Sequence, residues 1–385
     1  MLREIRLGGF KCFEAATLQC RRLTLLSGAN GGGKSTALQS LLLIHQALQS
    51  SQGGGALATI PLNGPVISLG TVRDVVNQSQ GGPFSIGVSW LGTPVTWKFS
   101  GGDLAAEISA VEWGPPTELV HSEIRTLFPP KLMAIAAAAQ LHGALKSLKY
   151  VPADRVGPVE TYPRQEDLRQ TSLGPRAERA VGALYDRDPT LPPPAFRHPD
   201  LSYPNTFTRQ VHAWFADVFP GATLEVLPVT NANLVTLGLR TKDATAFHRP
   251  QHVGFGMTYA LPLMVALLSA QPGDLILVEN PEAHLHPRAQ QRVTELCVRA
   301  ADAGIQVLVE THSDHVMNGV RVAVHRGRIK PEDVAMLYFE ATNDQASVRL
   351  VEVDARGRFS GRPKGFFDEG ERQLSALLGD DGSEA

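Results

Sequence analysis

The chain has 385 residues, long enough to bury a large core, and its 43% hydrophobic and 19% charged content is that of a globular rather than a disordered protein. A formal net charge of −2 excludes a uniformly basic nucleic-acid coat and leaves room only for a local basic groove. Three cysteines, Cys12, Cys20 and Cys297, are too few and too scattered for a disulfide framework or a zinc ribbon. They suit a reducing compartment, and with no signal-peptide pattern and no apolar run long enough to span a bilayer the expected location is cytoplasmic.

In chain order, Leu2 to Phe13 alternates as a strand, with a turn expected at Gly8-Gly9. A second strand, Leu23 to Leu26, feeds a glycine-rich turn, and a helix is expected from Thr36 to Ser50 with Leu38, Leu41, Leu42 and Ala47 on one face. From Thr59 to Trp113, short runs such as Phe84 to Trp90 and Val95 to Phe99 are punctuated by Gly, Pro and Asp. They predict an antiparallel meander, with a short helix after Leu69-Gly70. Leu119 to Tyr150 reads as helix broken at Pro129-Pro130, and Pro152 to Pro204 as an irregular, arginine- and proline-rich excursion. A helix over Asn205 to Phe219 precedes two strands, Thr223 to Val229 and Leu234 to Arg240.

The chain then takes up an α/β rhythm. Helices are expected at Met257 to Ser269 and Pro287 to Ala303, and buried strands at Leu275 to Val278 and Gln306 to Glu310. Asp314 to Val324 and Val334 to Phe339 continue the alternation, which argues for a parallel sheet with helices on its faces. The tail reads as a strand over Ser347 to Val353, a basic loop and a closing helix.

The chemistry concentrates in two stretches. Gly28, Gly33, Lys34 and Ser35 satisfy G-x-x-x-x-G-K-[ST] between a strand and a helix. Glycines let successive backbone N–H groups turn inward around a triphosphate, Lys34 is expected to reach the β- and γ-phosphates, and Ser35 to ligate Mg²⁺. The second stretch is Leu275-Ile276-Leu277-Val278-Glu279-Asn280-Pro281-Glu282-Ala283-His284-Leu285-His286-Pro287. Four apolar residues ending in an acid form a Walker B element, with Glu279 expected to hold Mg²⁺ through its water shell opposite Ser35. Val307-Leu308-Val309-Glu310-Thr311-His312-Ser313-Asp314 is a further buried strand ending in polar residues, as at the carboxyl edge of a parallel sheet.

These stretches resemble the ATP-binding-cassette-type ATPases of the branch holding the SMC, RecF and OLD proteins, and most of all the small relatives carrying E-N-P-E-A-H-L-H-P. The likeness rests on Ile5 to Thr36, on Thr311-His312-Ser313 and on the ending Gly365-Phe366-Phe367-Asp368. It implies an α/β P-loop NTPase, a cassette-ATPase-like head with a mixed sheet and an α+β insertion. The core would be residues 1–50 and 251–345, the insertion 51–250, and the C-terminal strand, basic loop and helix 346–385.

The resemblance assigns Gly28, Ala29, Asn30, Gly31, Gly32, Gly33, Lys34, Ser35 and Thr36 to the phosphate loop. Gly254, Gly256 and Thr258 fall on the signature loop that reaches the partner subunit's nucleotide. His312 is the switch histidine and Lys11 a nucleotide-contacting basic residue, while the resemblance does not place the glutamine of the Q-loop, for which Gln78 is a guess. Asn280 occupies the position of the catalytic glutamate, and an amide cannot act as general base. Glu282 is then the residue expected to orient the water, and hydrolysis is expected to be slow. The implied cofactors are ATP and Mg²⁺. The implied partners are a second copy of the chain, in a head-to-tail dimer closed by ATP, and a separate effector such as a nuclease, in phage defence or DNA maintenance, without a membrane. The alternative is a RecF-like clamp acting on DNA itself. A metal-dependent hydrolase built on His284, His286, His312, His315 and Asp314 is the remaining reading.

Overall fold

The computed structural model describes residues 1–50, 59–79, 81–114, 117–119, 126–164, 172–186, 191–200, 206–242, 244–342, 345–361, 366, 373 and 375–377. In order, the strands and helices are β1 (Leu2–Phe10), β2 (Phe13–Gln19), β3 (Leu23–Gly28), α1 (Lys34–Ser50), β4 (Thr59–Pro61), α2 (Val72–Val75), β5 (Phe84–Trp90), β6 (Thr93–Ser100), β7 (Ala105–Trp113) and β8 (Thr117–Leu119). Then come α3 (Pro130–Met133), α4 (Ala136–Lys146), β9 (Lys149–Val151), β10 (Tyr162–Pro163), α5 (Ala180–Asp186), α6 (Phe207–Val218), β11 (Thr223–Pro228) and β12 (Leu234–Arg240). The last are α7 (Phe255–Leu268), β13 (Leu275–Glu279), α8 (Pro287–Asp302), β14 (Gln306–Glu310), α9 (Asp314–His325), β15 (Val334–Thr342), β16 (Gln345–Val353) and β17 (Phe359–Ser360).

Two large sheets face each other across α1. The mixed sheet runs β17-β16-β15-β3-β14-β13-β9, parallel from β15 to β9 and antiparallel at β16 and β17. Its central strands β3, β13 and β14 are mostly apolar because both faces are covered. Leu26, Leu275, Leu277, Leu308 and Leu337 face α1, while Leu25, Ile276, Val278, Val307 and Val309 face a layer containing α7 and α8. The other large sheet is the expected meander, β2-β1-β5-β6-β7-β4, antiparallel throughout, with β8 beside β7. Helix α1 is buried on nearly every side from Lys34 to Leu48, not along one face, because a sheet lies on each side of it. A three-stranded sheet, β10-β12-β11, completes the second layer.

Several expectations are corrected. The turn placed at Gly8-Gly9 lies at Lys11-Cys12, since β1 runs unbroken to Phe10 and Gly8 pairs with both Ala15 and Ser85. An added Cβ at Gly8 would stand 2.7 Å from the Ser85 hydroxyl, so the glycine serves a close strand approach. The helix read to Tyr150 ends at Lys146, and Lys149–Val151 becomes the edge strand of the parallel sheet, in register with Ile276–Val278. Lys149 tolerates its burial through a 2.6 Å ion pair with Asp274. The excursion from Pro152 is also partly core: Tyr162, Ala180, Leu184 and Phe196 are each at most 2% exposed. The sheets therefore cut across the expected 51–250 boundary, with β9 in the mixed sheet and β1 in the meander.

Trp90, Trp97, Trp113 and Trp214 are buried, as their patterns predict. Phe366 is buried against Tyr338 and Phe359, which docks the tail onto β15. Arg362, Lys364 and Phe367 lie outside the described residues, as does most of the expected closing helix, of which Gln373 and Ser375–Leu377 are helical. No described helix is long and apolar enough to cross a membrane.

Trp97 is fully buried in β6, donates its indole N–H to the Leu127 carbonyl at 2.7 Å, and meets Phe128 edge-on. Trp97→Ala should therefore destabilise the fold by about 3–5 kcal/mol, read as a lower denaturant midpoint in chemical unfolding.

Candidate nucleotide-binding site

The carboxyl edge of the parallel strands gathers the conspicuous polar residues. Strand β3 ends at Gly28, where φ is +133° and an added Cβ would fall 2.1 Å from the Phe339 carbonyl oxygen of the adjoining β15. Gly33, at φ +97°, lies so close to the Lys11–Phe13 turn that a Cβ would strike the Phe13 ring at 2.5 Å. Only glycine fits either position. Between them, Ala29, Asn30 and Gly31 are exposed, and α1 begins at Lys34 with its N-terminus facing the loop.

Lys34 Nζ donates to the carbonyls of Gly28 at 3.0 Å and Ala29 at 2.8 Å, folding over its own loop. Burial lowers its pKa, and the Glu310 carboxylate opposes that shift. Thr36 Oγ1 faces Cys12 Sγ at 3.8 Å. Lys11, at φ +51°, donates to Gln39 Oε1 at 2.8 Å, so it stands over the first turns of α1. Asn77 Nδ2 donates to the Lys11 carbonyl, and the neighbouring Gln78 is exposed.

Opposite the loop stand three carboxylates. Glu279 and Glu310 end neighbouring strands and pair in register. The acid bonded to Ser35 is Glu310, not Glu279: Ser35 Oγ donates to Glu310 Oε1 at 3.0 Å. The strand order explains this, because β14 lies between β3 and β13. Glu279 accepts from the Ala153 N–H at 3.0 Å and from the Tyr150 hydroxyl. Glu310 Oε2 is buried without a hydrogen-bond partner among the described residues, as is Asn280 Oδ1. Burial, then the charge of Glu279, push the Glu310 pKa up to about 7, against the pull of Ser35 and Lys34.

Glu282 accepts from Thr311 Oγ1 at 2.9 Å and from the His312 N–H at 2.8 Å. His312 itself is exposed, and burial followed by the Lys34 charge lowers its pKa. Asn280 takes φ +45° and donates its N–H to the Glu310 carbonyl. Beneath this turn lies Arg155, 1% exposed, which donates to the carbonyls of Pro152, Glu279 and Asn280 at 3.1, 3.0 and 2.7 Å. Its guanidinium also sits 5.4 Å from the Tyr259 ring centre of α7. Burial lowers its pKa to about 10.

Gly254 is the N-cap of α7, where an added Cβ would meet nothing within 4 Å, and next to it Phe255 is 53% exposed. Gly256 packs within the chain, its place for a Cβ only 2.6 Å from the His284 carbonyl oxygen. Thr258 is corrected: it is 3% exposed and bonds to the Phe255 carbonyl, so its side chain does not reach outward.

The histidines are engaged singly. His284 packs against Tyr259 and Phe255, and His286 caps α8 by accepting from the Arg288 N–H. Among the described residues no three His, Cys, Asp or Glu side chains form a metal cluster, which argues against the hydrolase reading. Mg²⁺ asks less of a protein, since it keeps waters and phosphate oxygens around one or two carboxylates. The hydroxyl of Ser35 beside Glu310, with its unpartnered oxygen, and Glu279 supply hard oxygen donors that fit it.

Glu310, Arg155, Tyr150 and Gln39 are absent from the sequence-based assignment. Glu310 had a legible signal, because Val307-Leu308-Val309-Glu310 repeats the apolar-run-then-acid pattern of Ile276-Leu277-Val278-Glu279. Arg155 had none.

Residues 148–318 match the family described as "AAA domain, putative AbiEii toxin, Type IV TA system", and residues 329–377 match the family described as "Protein of unknown function (DUF3696)". No curated protein matches this chain. Among solved structures, an SMC head bound to the C-terminal winged-helix domain of ScpA is similar at 12% identity, covering 92% of this chain and 98% of that one, with a TM-score of 0.55. An SMC head with an extended coiled coil bound to the C-terminal domain of ScpA, from Pyrococcus furiosus, is similar at 10% identity, covering 98% and 99%, with a TM-score of 0.50. The fold is thus α/β with a mixed sheet, the architecture of the SMC heads.

An acid whose pKa is raised from 4.5 to about 7 holds its proton more tightly in the folded than in the unfolded chain. Its stabilising contribution is full below about pH 4.5 and is lost as pH rises through 7. Nucleotide-free protein should therefore lose stability from pH 5 to pH 7, and Glu310→Gln should flatten that slope in denaturation measured across the range.

Proposed function

We propose that the chain is an ATPase that binds ATP·Mg²⁺ in a head-to-tail homodimer, hydrolyses it slowly, and uses closure of the dimer to regulate a separate effector. The observation that carries this reading is the convergence, on one sheet edge, of the glycine loop, Lys34 and Ser35 with Glu279, Glu310, Glu282 and His312. In this reading Gly28 to Thr36 bind the phosphates, Lys11 adds a basic contact, and Ser35 with Glu279 serves Mg²⁺. The exposed N-terminus of α7 at Gly254 suits a contact with nucleotide held by the other copy.

Slow turnover follows from the chemistry around Asn280. An amide cannot accept the proton of an attacking water, and Glu282, the remaining candidate, already accepts two hydrogen bonds. His312, tied through its N–H to Glu282 and sensing Lys34, fits a residue that reports on the γ-phosphate. A long-lived bound state suits regulation better than metabolic turnover, because closure needs only a higher affinity of the closed form for ATP. The partial match to the "putative AbiEii toxin" family supports phage defence as the setting, and the effector we propose for it is a nuclease.

One observation favours a second reading, a clamp acting on DNA directly. Helices α8 and α9 border a groove of about 480 Å³ carrying Arg288, Arg292, Arg299, Arg326 and Arg328 against a single acid, Glu295. Such a groove fits a phosphate backbone, and its binding would fall steeply with salt.

Lys34→Ala should lose ATP affinity by roughly 100-fold in isothermal titration, the scale of removing a charge-assisted phosphate contact. Unchanged affinity would remove the basis of the proposal. With ATP, Glu282→Gln should run as a stable dimer in size-exclusion chromatography and wild type as a shorter-lived one. Monomers under both conditions would reject the head-to-tail arrangement.

A further inference from the structure

The Walker B pattern gives the cation to the acid ending β13, Glu279. The geometry points to its neighbour: we propose that Glu310, at the tip of β14, is the carboxylate that ligates Mg²⁺ directly, together with Ser35. This inference rests on the ATP·Mg²⁺ reading of the same site and alters which side chain holds the ion.

Three observations carry it. First, Ser35 Oγ and Glu310 Oε1 stand 3.0 Å apart. Two ligands at right angles around an octahedral cation with bonds of about 2.0–2.1 Å are separated by about 2.9 Å, so the pair already has the spacing of one octahedral edge. Second, Glu310 is only 6% exposed, and its Oε2 is buried without a partner among the described residues. An unpaired buried carboxylate oxygen is costly, and a dication with its ordered waters would satisfy it. Third, Glu279 is already engaged by the Ala153 N–H and the Tyr150 hydroxyl. That engagement holds it as an outer acid, able to accept from a metal-bound water without displacing anything.

The division of labour resolves an electrostatic difficulty. Two glutamates in register at adjacent buried strand tips repel each other; Lys34 faces Glu310, and the Arg155 guanidinium lies on the Glu279 side with Glu282 also close by. A dication set against Glu310 makes both carboxylates favourable in their ionised form. The bond from Ser35 to Glu310 is then the nucleotide-free substitute for the metal, keeping hydroxyl and carboxylate in place until the phosphates bring the ion.

The test uses the full chain and non-hydrolysable ATP, and reads metal affinity rather than turnover. Free Mn²⁺ is followed by electron paramagnetic resonance in the presence of saturating nucleotide, and nucleotide binding is measured separately in EDTA. Glu310→Gln should bind nucleotide in EDTA at least as tightly as wild type, since it removes a negative charge beside the phosphates, but lose Mn²⁺ affinity by about 10- to 100-fold in the complex. Glu279→Gln should lose less. Wild-type Mn²⁺ affinity in Glu310→Gln, with the loss falling on Glu279→Gln, would overturn the proposal. If Glu310→Gln does not fold, Glu310→Asp decides. It keeps the charge but withdraws the oxygens by one methylene, so Mn²⁺ affinity must fall at least about tenfold with EDTA binding intact, and unchanged affinity overturns the assignment. Lys34→Ala separates the two levels: normal nucleotide binding there refutes the ATP reading itself, whereas loss of binding in Lys34→Ala beside normal Mn²⁺ affinity in Glu310→Gln refutes only the role of Glu310.

Discussion

The structure depends on keeping acidic side chains at the tips of strands whose preceding three residues are apolar. Parallel strands buried on both faces have no solvent to screen a charge, so Glu279 and Glu310, level with each other across the ladder, define the electrostatics of that edge. The surrounding contacts answer this one condition. Tyr150 and the Ala153 N–H donate hydrogen bonds to Glu279, Ser35 and Lys34 face Glu310, and Thr311 with the His312 N–H secures Glu282. The donors come from β9 and its continuation, from the first turn of α1 and from the residues after β14, which is why the edge exists only in the folded chain.

Arg155 gives that edge its rigidity. Its guanidinium takes three backbone carbonyls around the turn that follows β13, leaving its Nε as the unpaired group. The planar fork suits several carbonyls in fixed directions, which a flexible ammonium would not match. Its contact with Tyr259, whose ring also meets His284, ties the same turn to the first turns of α7. The acids and the exposed helix end at Gly254 thus share one buried anchor within a single chain.

The legible part of the sequence was the part whose signals are local. The glycine loop, the α/β alternation after Met257 and the meander after Phe84 follow from short-range periodicity and turn residues, and they stand where expected. What escaped was set by tertiary context. A three-residue strand such as Lys149–Val151 has no period of its own and is extended only because β13 offers it a ladder. Thr258 reads as a contact residue in a motif yet faces inward, because α7 is buried along most of its length. The pairing of Ser35 with Glu310 required the strand order, which places β14 beside β3 and puts β13 one strand farther away. Arg155, lone in a proline-rich stretch, acquires its role solely from the carbonyls around it.

Helix α1 carries a mechanical implication. It starts at the phosphate loop and is walled in by the meander on one side and the mixed sheet on the other, with Gln46 accepting from the Val66 and Ile67 N–H groups and His45 bonded to the Leu145 carbonyl. Close-packed interiors transmit strain instead of absorbing it. A tilt of this rod when the loop fills would press on both walls at once, so a small displacement at the loop end would be carried along the helix to its far end.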